Sequence, residues 1–137
     1  MESWQKVWRE GIEPLLSIDA LRALHAALLS DDPRLIQGAN VVPSCDGFFA
    51  YEWPISGACA LCYAGWQGDS LKTIGGVEEY FGRLCFEADQ RLGDPAACRW
   101  FLNWFDDTPR DEMRQRLLAE VELSLAARLE STTEVYQ

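Results

Sequence analysis

The chain has 137 residues, of which 48% are hydrophobic, and a formal net charge of −10 from 22 acidic and 12 basic residues. A chain of this length forms one domain and buries enough surface to fold without a metal or a disulfide, and its apolar content excludes a disordered chain. Because the charge repels phosphate groups, direct binding to nucleic acid or to an anionic membrane surface is disfavoured. The charge favours a solvated acidic surface, and a basic partner protein is the alternative.

The N-terminal stretch MESWQKVWREG predicts a cytoplasmic protein. It lacks a basic segment followed by an apolar run, which a secretory signal needs, and no apolar run in the chain reaches the roughly 18 residues that span a membrane. The five cysteines are therefore expected to be reduced thiols. All but two of the 12 basic residues are arginines, and most of them are expected to pair with carboxylates of the same chain.

Two amphipathic helices are predicted in the first 32 residues. The first carries apolar residues at helical spacing and ends before Pro14. The second begins after Ser17, a good N-cap, and ends at Asp32 because Pro33 disfavours helical geometry in the residue before it. The apolar positions of the two helices are Trp4, Val7, Trp8 and Ile12, and Ile18, Leu21, Leu24, Leu28 and Leu29.

Residues 34–56 show no helical period and contain several glycines and prolines. The stretches NVV (40–42) and FFAYEW (48–53) are expected to pair as a short β-hairpin if this segment holds any strand. The following stretch, GACALCYAGWQG, is rich in small residues and predicts a short helix that ends at Gly65 or Gly68.

Three further helices are predicted in the C-terminal half. The first contains VEEYFGRLCFEADQRL and ends at Gly93; the second opens at Asp94-Pro95 as N-cap and first residue. The third opens at Thr108-Pro109 and runs to about Leu129. The fold prediction is all-α: a single irregular bundle of five or six helices over residues 1–130, with a frayed tail at 131–137. The predicted core contains Trp4, Trp8, Leu21, Leu24, Leu28, Phe81, Leu84, Trp100, Phe101, Trp104, Leu117, Val121 and Leu125.

Cys59 and Cys62 form a C-x-x-C motif, which supports three interpretations. A zinc site needs two further ligands, and the candidates for it are Cys45 and the only histidine, His25. A redox dithiol needs a low-pKa thiol at a helix start, usually within a βαβ frame, which the sequence does not indicate. Because the neighbouring residues are small, the sequence favours the third interpretation, a closely packed helix with buried thiols. No metal or other cofactor is predicted.

Surplus apolar residues suggest contacts beyond the predicted core. The helix CRWFLNWF has polar residues only at Arg99 and Asn103, so it is expected to be nearly surrounded. Phe86 points away from the apolar face of its own helix, and Gly82 leaves a flat area beside it. Phe86 is expected to pack either against another part of the chain, such as FFAYEW, or against a partner. Leu123 is similarly opposite the apolar face of the last helix. Phe86, Gly82 and Leu123 are therefore the partner-binding candidates.

The absence of an assembled catalytic motif favours a non-catalytic protein-interaction domain over an enzyme. An adaptor, an inhibitor or a regulatory subunit of a cytoplasmic complex would fit this description. The alternatives are a small metal- or thiol-dependent protein that uses Cys59 and Cys62, and an acidic inhibitor that mimics nucleic acid toward a basic partner. A small-molecule binder with an aromatic pocket around Trp53, Trp66 and Trp104 is a further alternative. The sequence leaves the oligomeric state open.

Overall fold

Apolar residues at helical spacing form six helical segments in the part of the chain that the structure describes. The structure, a computed structural model, describes the backbone of residues 1–44 and 54–135 and the side chains as far as residue 130. The helices are α1 (Ser3–Lys6), α2 (Ile18–Ser30), α3 (Ala60–Tyr63), α4 (Ile74–Leu92), α5 (Ala97–Asp107) and α6 (Arg110–Val135). α1 continues as a π-helical segment, Val7–Ile12, and a 3-10 turn, Glu13–Leu15; α3 continues as a π-helical segment, Ala64–Gly68. The predicted all-α bundle is confirmed.

Hydroxyl side chains fix the starts of α2 and α4. Ser17 Oγ accepts a hydrogen bond from the Ala20 amide at 2.9 Å, and Thr73 Oγ1 accepts one from the Gly76 amide at 3.1 Å. α4 ends at Gly93, whose φ of 67° is left-handed and terminates the helix. The predicted helix start at Ser17 and helix end at Gly93 are therefore confirmed.

A two-stranded antiparallel sheet lies within and just after the segment predicted as irregular. β1 (Val41–Pro43) pairs with β2 (Ile55–Ala58), and Val41 lies opposite Ala58. The predicted strand at NVV is confirmed, whereas its predicted partner, FFAYEW, lies outside the described residues. The last two residues of β2, Gly57 and Ala58, were predicted as helix, and that prediction is wrong. Backbone hydrogen bonds from Ala58 to Arg34 and from Ile36 to Ala58, of 2.8 and 2.9 Å, hold the end of this strand.

The junctions of the last two helices differ from their predicted positions. α5 begins after an extra turn in which Asp94 Oδ1 accepts from the Ala96 amide, so Asp94 is not the residue directly before the helix. The Thr108 hydroxyl, predicted to cap α6, instead donates to the Trp104 carbonyl oxygen of α5. α6 continues to Val135 rather than ending near Leu129, and residues 131–135, predicted as frayed, have helical backbone.

The core lies between α1 with its π-helical segment, α2, β2, α3, α4, α5 and α6. Most predicted core residues are buried, but Trp100 is 55% exposed, so its assignment to the core is wrong. Phe81, Trp104 and Leu125 are only partly buried. The predicted core residues that are buried are Trp4, Trp8, Leu21, Leu24, Leu28, Leu84, Phe101, Leu117 and Val121.

Polar side chains join the N-terminal segment to α6. Trp8 Nε1 donates to Ser124 Oγ at 3.2 Å inside the core. Arg9 makes a two-pronged contact to the buried carboxylate of Glu120, with N–O distances of 2.8 and 2.7 Å. Gln5 also donates to Glu120, at 3.0 Å. Because Glu120 is only 3% exposed, these donors are needed to offset the loss of its hydration.

A second polar cluster follows the end of α2 and is centred on Asp32. Arg34 contacts both carboxylate oxygens of Asp32, the shortest N–O distance being 2.7 Å. The Tyr63 hydroxyl donates to the same carboxylate at 2.9 Å. Arg34 holds the pKa of Asp32 well below its usual value, and burial together with Asp32 raises the pKa of Tyr63 to about 12. The cluster ties the loop after α2 to α3.

Most arginines belong to ion pairs within the chain, as predicted. The paired arginines among the described residues include Arg9, Arg34, Arg110, Arg114, Arg116 and Arg128. Their carboxylate partners are thereby neutralised locally. The net charge of −10 therefore arises from residues outside these ion pairs, among which acidic residues are in excess.

Candidate functional site

Among the residues whose side chains the structure describes, two aromatic side chains are unusually exposed, one on α4 and one on α5. Phe86 of α4 is 61% exposed and Trp100 of α5 is 55% exposed. Trp100 is displaced from the core because the buried side of α5 presents other residues, namely Ala97, Cys98, Phe101 and Phe105. Its neighbour Trp104 is held inward by stacking on Trp4, with ring centroids 3.6 Å apart and an interplanar angle of 4°.

Two clefts that share Asp94 include these aromatic side chains in their lining. The first has a volume of about 330 Å³ and is lined by Phe86, Asp89, Gln90, Gly93, Asp94 and Pro95. The second has a volume of about 180 Å³ and is lined by Ser3, Lys6, Val7, Leu92, Asp94, Ala97 and Trp100. Asp94, in the turn between α4 and α5, lines both clefts. We call these two clefts with their aromatic side chains the Phe86–Trp100 surface.

The other partner-binding candidates have different surroundings. Gly82 lies one turn before Phe86, and a Cβ atom built on it would meet no atom within 4 Å, so this part of α4 is open. Leu123 is 60% exposed but lines a separate cleft with Arg9, Glu13 and Glu120. Those charged residues belong to ion pairs within the chain. The apolar contact area is therefore more continuous around Phe86 than around Leu123.

The C-x-x-C motif lies where β2 passes into α3. Cys59 is the N-cap residue of α3 and Cys62 lies in its first turn. Hydrogen bonds to Cys59 lower the pKa of its thiol; they come first from the Cys62 thiol and then from the backbone amides of Cys62 and Leu61. The same contact, together with burial, raises the pKa of Cys62. The strand before the motif, which the sequence analysis did not predict, resembles the setting of redox dithiols more than expected.

Burial nevertheless closes this thiol pair to solvent. Cys59 is 1% exposed and Cys62 is 0% exposed. A reactive cysteine needs access as well as a lowered pKa, so the arrangement favours packing over thiol exchange. Cys98 is buried in the same way, and its thiol donates to the backbone carbonyl oxygen of Cys85 at 3.7 Å. This contact also fits a packing role for the cysteines.

Alkylation rates are expected to separate these thiols. In the native protein, the buried Cys59 and Cys62 can react with iodoacetamide only after a local opening of the structure. An opening free energy of about 1.4 kcal/mol already slows a reaction tenfold, so both should react at least about tenfold more slowly than the partly exposed Cys85. Mass spectrometry of peptides from a time course measures each residue. The rates should become equal in denaturant, and equal rates in the native protein would contradict the closed pair.

His25 is not placed as a partner of these thiols in a recognised metal site. It lies on α2, with Nε2 3.4 Å from Glu122 Oε1 on α6, and its side chain is 32% exposed. In residues 1–44 and 54–130, no group of three or more His, Cys, Asp or Glu side chains is arranged to hold a metal. Cys45, the other candidate ligand, lies outside the described residues.

The candidate aromatic pocket is not assembled from its two described members. Trp66 packs edge-on against Tyr63, with ring centroids 5.9 Å apart, and lies under the Arg34 guanidinium. Trp104 stacks on Trp4 instead. The two indole rings therefore pack against different residues, and Trp53 lies outside the described residues.

Over residues 1–44 and 54–135, the structure contains no helix with the length and apolarity to cross a membrane. Comparison with protein-family models, with curated proteins and with solved structures finds no match. The molecule's own surface and interior are thus the basis for inferring its function.

Proposed function

We propose that the protein is a non-catalytic protein-interaction domain, of the adaptor, inhibitor or regulatory-subunit kind, that binds its partner through the Phe86–Trp100 surface. The observation that carries this proposal is the exposure of two aromatic side chains in the lining of two clefts that share Asp94. Aromatic residues beside such clefts are typical anchors of protein interfaces. Burial of one large apolar side chain stabilises a complex by roughly 1.5–3 kcal/mol.

The composition of the surface supports protein binding over small-molecule binding. The larger cleft, about 330 Å³, lies near the lower limit of roughly 300 Å³ for small-molecule pockets. Its aromatic residue lies at the edge and is mostly in solvent, whereas a ligand pocket surrounds its ligand with apolar side chains. An exposed aromatic side chain such as Phe86 can instead insert into a pocket of a partner protein. A protein is therefore a better match for this surface than a small molecule.

The proposal is tested by affinity capture with matched variants. Phe86→Glu/Trp100→Glu places carboxylates where the partner is expected to dock, and it should abolish recovery of proteins that the unchanged chain captures from its native lysate. Leu29→Glu/Val42→Glu is the matched control, since both side chains are exposed, at 61% and 37%, and lie on α2 and β1. It should leave capture unchanged.

Circular dichroism and a thermal melt must show that both double variants are folded. Recovery of the same proteins with Phe86→Glu/Trp100→Glu would contradict the proposed surface. Recovery of the unchanged chain alone, as a monomer, would contradict the proposed function.

A further inference from the structure

Two carboxylates lie at the centre of the Phe86–Trp100 surface, and the backbone fixes their positions. Asp94 Oδ1 accepts from the Ala96 amide at 2.9 Å. Asp89 Oδ1 accepts from the Cys98 amide at 2.8 Å. An ionised carboxylate has about four acceptor positions, so each group can accept further hydrogen bonds from a partner. Since the amides already orient both groups, little side-chain entropy is lost when a partner binds.

Each of the two clefts combines an aromatic side chain with Asp94. Phe86 lines the first cleft and Trp100 lines the second. Because Asp94 is common to both clefts, a complementary segment presents one basic side chain with an apolar side chain on either side of it. Lys6 lines the cleft beside Trp100, so a second positive charge in that cleft is disfavoured.

Arginine matches the central position better than lysine. Its planar guanidinium forms forked hydrogen bonds to a carboxylate and stacks on aromatic rings. Lysine offers a compact, strongly hydrated charge without either property. With Asp89 and Asp94 in the same cleft, a guanidinium has two carboxylates within one site.

The charge of the molecule argues against a second copy of this chain as the occupant. Each copy carries a net charge of −10, so two copies repel each other over long range. In a two-fold dimer the same patch meets itself, which would bring the carboxylates of both copies toward one shared interface. A basic partner removes both unfavourable terms.

We propose that the Phe86–Trp100 surface binds a partner segment in which one arginine lies between two apolar side chains, with its guanidinium at Asp94 and Asp89. This inference rests on the proposed function and adds the chemistry of the partner to it. The arginine supplies charge-assisted hydrogen bonds at the centre, and the apolar side chains fill the clefts beside Phe86 and Trp100.

Peptide display gives a direct test. A library of short random peptides is selected on the unchanged full chain, and the enriched peptides are synthesised with a fluorescent label for anisotropy titration. The enriched sequences should carry an arginine flanked by apolar residues. Asp94→Asn should weaken their binding by about tenfold, as expected for the loss of a charge-assisted hydrogen bond. The asparagine side-chain oxygen can still accept from the Ala96 amide, so the turn should persist.

Asp107→Asn is the control, because it removes the same charge from an exposed position at the end of α5; it should not change the affinity.

Enriched peptides that lack arginine, or that bind Asp94→Asn as tightly as the unchanged chain, would overturn this inference. If those peptides still lost binding to Phe86→Glu/Trp100→Glu, the proposed function would stand. Peptides whose affinity is unchanged by both Asp94→Asn and Phe86→Glu/Trp100→Glu would contradict the assignment of the Phe86–Trp100 surface as the binding site. Self-association that is lost in the same double variant would show that a second copy is the occupant and would also overturn the inference.

Discussion

Replacement of Gly68 by alanine is expected to lower the free energy of unfolding by about 2–3 kcal/mol. A Cβ atom at this position would lie 2.4 Å from Ala20 Cα and 2.8 Å from the Ala20 amide nitrogen. These are backbone atoms of α2, which cannot move aside as a side chain can. The end of the π-helical segment would have to separate from α2, and the hydrogen bond of 2.6 Å from Ser17 Oγ to Asp69 Oδ1 would be strained. Urea denaturation followed by circular dichroism measures the change.

Gly82→Ala is the matched control and should have the opposite sign. Its Cβ atom would meet nothing within 4 Å, and the position lies inside α4. Alanine is favoured over glycine in a helix interior by about 0.5–1 kcal/mol, so this variant should be more stable than the unchanged chain. Equal destabilisation by both alanines would show that the close packing of Gly68 against α2 is not what limits substitution there.

Asp32→Asn is expected to destabilise the fold by about 2 kcal/mol at neutral pH, because asparagine cannot form the charged, forked contact with Arg34. Asp32 is 14% exposed, in contrast to Arg34 at 50%, so the carboxylate is the group that depends on the contact. The folded pKa of Asp32 is lowered, first through its hydrogen bond to Arg34. A lowered folded pKa means that the stabilisation is complete above the unfolded pKa of about 3.9 and is lost as the pH falls below it.

Urea melts across a pH series test both the size and the sign of this effect. The unfolding free energies of the unchanged chain and Asp32→Asn should differ by a constant amount above about pH 5 and converge as the pH falls below about 4. Asp31→Asn is the control: its carboxylate is 45% exposed in its pairs with Arg110 and Arg114, and exposed ion pairs contribute about 0–1 kcal/mol. Asparagine also tolerates the φ of 53° at this position. A difference that grows toward acid pH would contradict the assigned role of Asp32.

Local signals in the sequence were sufficient for most helices because those helices are amphipathic and capped. The Ser17 cap, the Gly93 terminus and the apolar spacing in α4 each act within a few residues of the chain. The C-x-x-C motif was harder to place. Gly57 and Ala58 are strand residues because they pair with Val42 and Val41 of β1, and pairing with a distant segment leaves no mark on the local composition.

The candidate surface was only half predictable for the same reason. Phe86 lies opposite the apolar face of its own helix, so helical spacing placed it off the core face. Spacing did not show whether another part of the chain or a partner covers it. Trp100 lies on a helix that is apolar around most of its circumference, and spacing could not show which side the rest of the chain covers. The stacking of Trp104 on Trp4 decides that question, and it depends on two helices nearly the full chain apart.

The contacts between the N-terminal segment and α6 also have a kinetic consequence. The bonds from Trp8 to Ser124 and from Arg9 to Glu120 join residues 116 and 111 positions apart. Closing loops of that length is entropically costly and slows folding. Because synthesis proceeds from the N-terminus, Trp8 and Arg9 leave the ribosome long before their partners are made. On this topology, residues 3–12 gain their polar contacts to α6 only after α6 has been synthesised.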